Sequence, residues 1–375
     1  MSVQAGDSWL DLARYRAEDT PALTVSAQRV TRNIWHVADR TRLAGKVLRP
    51  HTKTHKTAEI SGLQLEAGAR GLQVVKLSEA LSAVCAATDD ILIGFPLVGG
   101  VKLGRFAQLA ARKHVRVAVD SCEVAAGIDR ALAGTGARAG VMLDIETGMM
   151  RTGIVPEAVA AVAAAIQRMP QLDLIGVMTH EGHISRQSAN DDDMARLTGL
   201  AASQLRRAAD AVRNLGIEPL VSMGCTATWR FALAEPGIHE LRPGTYAFYD
   251  RNSILARAAT LADVAAVVVA TVVSVSRARG EFVIDAGSKA LASERRDTDA
   301  GVSFGWIPAL GADVVRLSEE HGIVGGARRL PAIGDRVVVV PNHICPVVNL
   351  YDTMTVVDEG RATQTWRVAA RGALL

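Results

Sequence analysis

Several features are scarce in this chain of 375 residues, and each scarcity excludes a class of protein. Its four cysteines include no CxxC pair, which argues against a disulfide framework and favours a reduced compartment. No apolar run reaches the roughly 20 residues that a membrane span needs, and the N-terminus lacks the apolar core of a signal peptide. The net charge of +3 is small and the Lys and Arg residues are scattered along the chain, which argues against a nucleic-acid or membrane partner. We therefore expect a cytoplasmic protein that binds a small molecule.

Residues 24–248 alternate short apolar runs with longer stretches of helical, 3.6-residue periodicity. The runs are 46–53, 72–76, 91–95, 115–120, 140–146, 174–180, 219–224 and 240–248. Eightfold alternation of strand and helix over this length is typical of a parallel (β/α)8 barrel, the TIM-barrel fold. The competing interpretation is a doubly wound open sheet, but no G-x-G-x-x-G loop follows the first run. From residue 249 onward, β-branched runs separated by Gly, Asp and Pro predict a second, mostly β domain.

Polar residues at the carboxyl ends of barrel strands are candidate active-site residues, because the loops above them form the mouth of the barrel. This criterion selects His51, Lys53, Lys76, Asp120, Asp144, Arg151, His180, Ser222 and Tyr246. Lys53 lies in the basic octet RPHTKTHK (49–56). Crowding by like charge favours a nucleophilic amine, as a Schiff-base lysine requires. The alternative is a solvated basic loop, but the position of Lys53 at the end of the first strand favours the catalytic interpretation.

Loops after four later strands contain further candidates. Arg151, in LDIETGMMRTG (143–153), can bind an anion or a phenolate through its planar guanidinium, or form a surface salt bridge. His180, in MTHEGH (178–183), can stack on a flat cofactor, since the H-E-x-H spacing does not match a metalloprotease helix. The loops SMGCTAT (222–228) and RPGTY (242–246) are rich in small residues, which bind phosphate in many barrels but also occupy ordinary turns.

A different pattern occurs in PNHICP (341–346), which follows the apolar run 337–340. If this segment continues as a strand, His343 and Cys345 share a face and can offer an imidazole and a thiolate to one metal ion. Two protein ligands are too few for a closed structural zinc site, so the pair predicts a metal with open positions. The alternative is a buried cysteine beside an incidental histidine.

Eight motifs occur in order along almost the whole chain: RPHTKTHK, KLSEA, LDIETGMMRTG, MTHEGH, LRPGTYAFYD, DAGSKAL, EEHG and PNHICPVVNLYD. In this set the sequence resembles the fold-type III pyridoxal-phosphate enzymes of the alanine racemase superfamily. Within them it is most similar to the branch of D-serine dehydratase, D-threonine aldolase and the D-hydroxyaspartate lyases. The resemblance implies pyridoxal 5'-phosphate as cofactor, a homodimer, and a β domain formed by residues 1–23 together with 249–375.

The resemblance also implies a role for individual residues. Lys53 would carry the cofactor covalently, Arg151 would lie near its phenolic oxygen, and His180 would lie against its ring. Arg242 occupies the position of an arginine that alanine racemases direct at the pyridine nitrogen. The other implied cofactor contacts are Gly224, Cys225, Thr226 and Gly244 around the phosphate, and Tyr246 beside the cofactor.

His343 and Cys345 would bind a divalent metal, for which a thiolate favours zinc over magnesium or manganese. Racemases lack this pair, which argues against a simple racemase. The resemblance implies a lyase for D-3-hydroxy-amino acids, and H-x-C favours dehydration of D-serine or D-3-hydroxyaspartate to a keto acid and ammonia. The alternative is retro-aldol cleavage to glycine and an aldehyde, as in D-threonine aldolase. More remote alternatives are an amino-acid racemase, a non-catalytic pyridoxal-phosphate-binding protein, and a cofactor-free barrel hydrolase that uses His180 and Asp144.

Overall fold

The structure is a computed structural model that describes residues 19–298, 301–358 and 361–375. The chain divides into two compact units. The barrel unit contains Ile34–Lys53, Ala58–Gly244 and Ala373–Leu375, and the β unit contains the described residues up to Asn33, Thr54–Thr57 and Thr245–Gly372. Residues 1–18, most of the segment expected to join the β domain, lie outside the described residues. The domain boundaries expected at residues 24 and 248 stay predictions.

The described chain begins with β1 (Ala22–Ser26) and α1 (Ala27–Leu43), after which eight parallel strands form the barrel unit. They are β2 (Val47–Leu48), β3 (Leu72–Val74), β4 (Asp90–Ile93), β5 (His114–Val119), β6 (Ala139–Asp144), β7 (Leu172–Thr179), β8 (Leu220–Met223) and β9 (Glu240–Leu241). Their order is β2-β9-β8-β7-β6-β5-β4-β3, and a parallel bridge between His51 and Gln73 joins the two ends of the sheet. The expected (β/α)8 barrel is confirmed.

Helices lie between the strands of the barrel unit, as the sequence predicted. They are α2 (Ala58–Glu66), α3 (Leu77–Ala80), α4 (Gly100–Ala110), α5 (Cys122–Leu132), α6 (Val159–Ile166), α7 (Ile184–Gln187), α8 (Asp191–Arg213) and α9 (Trp229–Ala232). The longest, α8, is capped by Asn190, whose side chain accepts the N–H of Asp193 at 2.9 Å, and acidic residues fill its first turn. No helix in the described ranges combines the length and apolar character that crossing a membrane requires.

The β unit is built on a nine-stranded sheet that includes β1. Its further elements are α10 (Arg251–Leu255), β10 (Ala266–Ser276), β11 (Glu281–Ile284), α11 (Ser288–Leu291), β12 (Arg296–Thr298), β13 (Gly301–Ser303), β14 (Gly305–Ile307), β15 (Ala312–Leu317), β16 (Gly322–Gly325), β17 (Arg336–Pro341), α12 (Ile344–Val348), β18 (Thr353–Asp358) and β19 (Arg361–Arg367). The order is β11-β16-β15-β14-β17-β10-β1-β18-β19, and β12 and β13 form a separate hairpin. Most pairings are antiparallel, and the described residues from Thr245 onward contain three α-helices, all short. The expected mostly β domain is confirmed.

Candidate active site

Lys53 lies in the 3₁₀ turn Thr52–Thr54, which follows β2 after three residues. Its backbone N–H donates to Nδ1 of His51 at 3.3 Å, and His51 pairs with Gln73 where the barrel closes. The turn is therefore fixed at the seam of the barrel, and the half-buried Lys53 lies at the carboxyl end of the strand, as the sequence predicted.

His180 follows β7 and is oriented by the loop after β8. Its Nδ1 lies 2.8 Å from the carbonyl oxygen of Gly224; because a carbonyl only accepts, Nδ1 carries the proton. Loss of solvent around the ring, assisted by the Lys53 ammonium, lowers the pKa of His180 to about 3. The imidazole is therefore neutral at physiological pH, with the lone pair on Nε2. A neutral ring of this kind suits stacking on an aromatic cofactor and is a poor proton donor.

The loops after β7, β8 and β9 are held close together by main-chain N–H groups that donate to side chains. The N–H of Gly224 donates to Oε2 of Glu181 at 3.2 Å, and the N–H of Gly244 donates to Oγ1 of Thr226 at 3.3 Å. A Cβ on Gly224 would lie only 2.6–2.7 Å from the backbone and Cβ of Arg242, so glycine is required at this close approach. Small residues and main-chain N–H groups at strand ends are the usual elements of a phosphate site in a barrel.

Glu181 is a site residue that the sequence reasoning missed. Its side chain is fully buried, and besides Gly224 it binds Thr228, whose hydroxyl donates to Oε1 at 2.6 Å. Burial raises the pKa of Glu181, and burial together with this carboxylate raises the pKa of Cys225 to about 11. The thiol of Cys225 therefore stays protonated and uncharged. The sequence signal that points to Glu181 is its position beside His180 at a strand end. The H-E-x-H spacing, which excludes a metalloprotease helix, does not reveal this role.

Arg242 is nearly fully buried and links several strands of the barrel. Its Nε donates to Oγ of Ser222 at 2.8 Å, one terminal nitrogen donates to Oε1 of Gln73 at 3.0 Å, and the other donates to the carbonyl oxygen of Thr179. Burial lowers the pKa of Arg242, and the neighbouring carboxylate of Glu240 opposes that effect. The sequence reasoning did not identify Gln73. The expected contact of Arg242 with a pyridine nitrogen stays a prediction.

Two other expected cofactor residues lie in different environments. Arg151 is exposed in the loop after β6, yet its charge contributes to lowering the pKa of His180. In the same loop, Thr152 donates to Asp144 at 2.9 Å, and burial raises the pKa of Asp144. Tyr246 lies in the β unit, in the 3₁₀ turn Thr245–Ala247, and is fully buried. The cofactor contacts expected of Arg151 and Tyr246 stay predictions.

His343 and Cys345 lie at the start of a short helix, not on the strand that was expected. Strand β17 ends at Pro341, which has no N–H to donate, and α12 begins at Ile344. The expectation that the pair shares one face of a strand is therefore wrong: His343 caps α12 and Cys345 lies in its first turn. The two side chains are nevertheless hydrogen-bonded, and the charge of Cys345 raises the pKa of His343 to about 9 although burial opposes it.

Cys345 also contacts the segment that follows the candidate lysine. Its Sγ lies 3.2 Å from Oγ1 of Thr54, and Thr54 is the next residue in the chain after Lys53. Lys56 in the same segment donates to Oδ1 of Asn349, at the C-terminal end of α12, at 2.8 Å. In the part of the chain that the structure describes, no group of three or more His, Cys, Asp or Glu residues is arranged to hold a metal. A metal at this point would therefore have His343 and Cys345 as its protein ligands, with other positions open.

Comparison with known proteins places the chain in a family. Residues 25–252 match the model of the alanine racemase N-terminal domain, and residues 265–357 match that of a putative serine dehydratase domain. The chain belongs to the alanine racemase N-terminal domain family, which confirms the resemblance found in the sequence.

Its relatives include lyases of two kinds. The D-threonine aldolase of Arthrobacter sp. is 31% identical, over 94% of this chain and 93% of that protein. The D-threo-3-hydroxyaspartate dehydratase of Delftia sp. (strain HT23) is 29% identical, over 93% of this chain and 96% of that protein. Among solved structures, a mutant D-threo-3-hydroxyaspartate dehydratase in a metal-free form is 28% identical, with a TM-score of 0.86, covering 94% of this chain and 98% of that chain.

Proposed function

We propose that this protein is a pyridoxal-phosphate- and metal-dependent lyase that acts on D-3-hydroxy-amino acids. Full-length similarity to an aldolase and to a dehydratase for such substrates supports the reaction class. The observation that carries the proposal is the hydrogen bond between Cys345 and Thr54, because Thr54 is peptide-bonded to the proposed cofactor lysine, Lys53. Cys345 is thereby bound to the residue that follows the proposed cofactor lysine in the chain.

The barrel residues fit pyridoxal phosphate, the cofactor typical of the alanine racemase family. Lys53 offers a primary amine at the end of the barrel where the loops that carry Gly224 and Gly244 meet, and these loops would hold the phosphate. His180 presents a neutral ring whose Nδ1 is held by Gly224. When bound, the cofactor supplies an electron sink for charge that develops at the α-carbon of the substrate.

His343 and Cys345 are the proposed ligands of the metal. A thiolate ligand favours zinc, with manganese and magnesium as alternatives. The ion would supply a Lewis acid for the 3-hydroxyl of the substrate. The raised pKa of His343 means that a proton lies between its imidazole and the thiolate of Cys345 at neutral pH. A metal ion bound by the two side chains would replace that proton. A dehydratase relative solved in a metal-free form supports a metal in this family.

Which proton of the substrate is removed determines which bond breaks. If Nζ of Lys53 removes the α-proton and hydroxide leaves, the released enamine is hydrolysed by water to a keto acid and ammonia. If the hydroxyl proton is removed instead, the Cα–Cβ bond breaks and gives glycine and an aldehyde. The H-x-C pair favours dehydration, with D-serine or D-3-hydroxyaspartate as substrate. Retro-aldol cleavage is the second candidate, because one relative is a D-threonine aldolase.

The test is to incubate the purified protein with D-serine, D-threonine and D-3-hydroxyaspartate, with and without a chelator, and to identify the products. We expect a keto acid and ammonia, and no products after chelation or in Lys53→Ala and Cys345→Ala. Glycine and an aldehyde would establish the aldolase instead. Formation of the L-enantiomer alone would indicate a racemase, and turnover that is unaffected by chelation would remove the metal from the reaction.

A further inference from the structure

The turn that carries the proposed metal pair is held by one buried carboxylate. Asp250 is only 1% exposed, and its Oδ2 accepts the N–H of Ile344 at 3.1 Å. Ile344 lies between His343 and Cys345, and its N–H is one of the donors at the start of α12 that no helical carbonyl can accept. The hydrogen bond therefore fixes the main chain at Ile344, between the two residues whose side chains are the proposed ligands.

The other oxygen of the same carboxylate is engaged in α10. Asp250 is the N-cap of this helix, and its Oδ1 accepts the N–H of Ser253 at 2.8 Å and the hydroxyl of Ser253 at 2.6 Å. A carboxylate accepts hydrogen bonds at both oxygens, whereas an amide accepts at only one. An aspartate can thus hold α10 and the first turn of α12 at the same time, and an asparagine cannot.

A second tether lies on the other side of His343. The backbone N–H of Asn252, in the first turn of α10, donates to the carbonyl oxygen of Asn342 at 3.0 Å. The side-chain nitrogen of Asn342 donates to the carbonyl oxygens of Ser303 at 2.8 Å and Glu294 at 3.0 Å. Both chain neighbours of His343 are therefore bound to the start of α10, which leaves the imidazole little freedom to move away from the thiol.

We infer that Asp250 is a positioning residue for the metal pair, which it holds in ligating geometry through the N–H of Ile344. This inference rests on the metal assignment in the proposed function. Asp250 acts through the main chain rather than as a ligand, because both of its oxygens already accept hydrogen bonds. Residues that orient metal ligands in this way commonly change metal affinity by about 10–100-fold when they are replaced.

The test is the zinc affinity of the full-length variant Asp250→Asn, measured by competition with a chromophoric chelator. We expect binding to weaken by about 10–100-fold, with the circular dichroism spectrum and the absorbance of bound pyridoxal phosphate unchanged. Asp250→Ser is the second variant. A serine still caps α10 but is too short to reach Ile344, so the same loss of zinc affinity is expected in a chain that keeps its helix cap.

The matched control is Asp263→Asn, which alters another capping aspartate of the same unit. Its Oδ2 accepts the N–H and the hydroxyl of Thr260, at 2.8 and 2.7 Å. We expect zinc affinity in this variant to equal that of the wild type. Wild-type affinity in both Asp250 variants, or an equal loss in Asp263→Asn, would overturn the inference and leave the metal assignment intact. Absence of zinc binding in the wild type would overturn both.

Discussion

Replacing Arg242 with lysine would test whether this guanidinium links strands inside the barrel. In the wild type, three nitrogens donate to Ser222, Gln73 and Thr179, which lie on three different strands. Lysine keeps the charge but replaces a planar fork of three nitrogens with a single ammonium. We expect it to retain one of the three hydrogen bonds, so that two buried acceptors lose their donor.

The size of the effect follows from those two bonds. Hydrogen bonds to a charged group contribute about 1.5–3 kcal/mol each, so the loss is about 3–6 kcal/mol before the site relaxes, and we expect a value near 3 kcal/mol. The assay is urea unfolding followed by circular dichroism. Arg42→Lys is the control, because Arg42 is exposed and its 3.2 Å ion pair with Asp39 contributes little. A free energy of unfolding within about 0.5 kcal/mol of the wild type in Arg242→Lys would show that these bonds do not stabilise the barrel.

Three further predictions concern the barrel and the assembly. Folding lowers the pKa of His180 from 6.5 to about 3, so between pH 6.5 and 5 the unfolded chain binds a proton that the folded chain does not. Over this range the free energy of unfolding of the wild type should fall by about 2 kcal/mol more than that of His180→Gln. Urea unfolding at both pH values measures this, and an equal change in the two proteins would contradict it. Gly224→Ala should destabilise the fold by about 1–3 kcal/mol through its clash with Arg242, whereas Gly62→Ala, where a Cβ meets nothing within 4 Å, should stabilise it by about 0.5–1 kcal/mol in the same assay. Sedimentation should give the mass of two chains, and the mass of one would exclude the homodimer.

The sequence predicted the barrel and its strand ends because the alternation of apolar runs and helices is a local property. His180 and Gly224 each directly follow a strand for that reason, and Lys53 lies in the first turn after β2. The geometry of His343 and Cys345 was predicted wrongly, because two residues cannot distinguish a continuing strand from the first turn of a short helix.

The supporting residues could not be found in the same way, because each acts on a partner far away in the chain. Gln73 binds Arg242 across 169 positions, and Asp250 binds Ile344 across 94. No local sequence pattern indicates either pair. The first contact depends on the closure of the barrel, and the second depends on the packing of two short helices. Glu181 could have been noticed as a carboxylate at a strand end, but its binding to Gly224 and Thr228 depends on the neighbouring loop.

Borohydride reduction of the purified protein, followed by peptide mass analysis, shows whether Lys53 is the attachment point of pyridoxal phosphate. Reduction makes a Schiff base permanent, so the modified lysine can be identified in the peptide. The octet that contains Lys53 also contains Lys56, which is buried and donates to Asn349 at 2.8 Å. We predict a phosphopyridoxyl group on Lys53 alone. Modification of Lys56 or of another lysine, or no modification at all, would contradict the account.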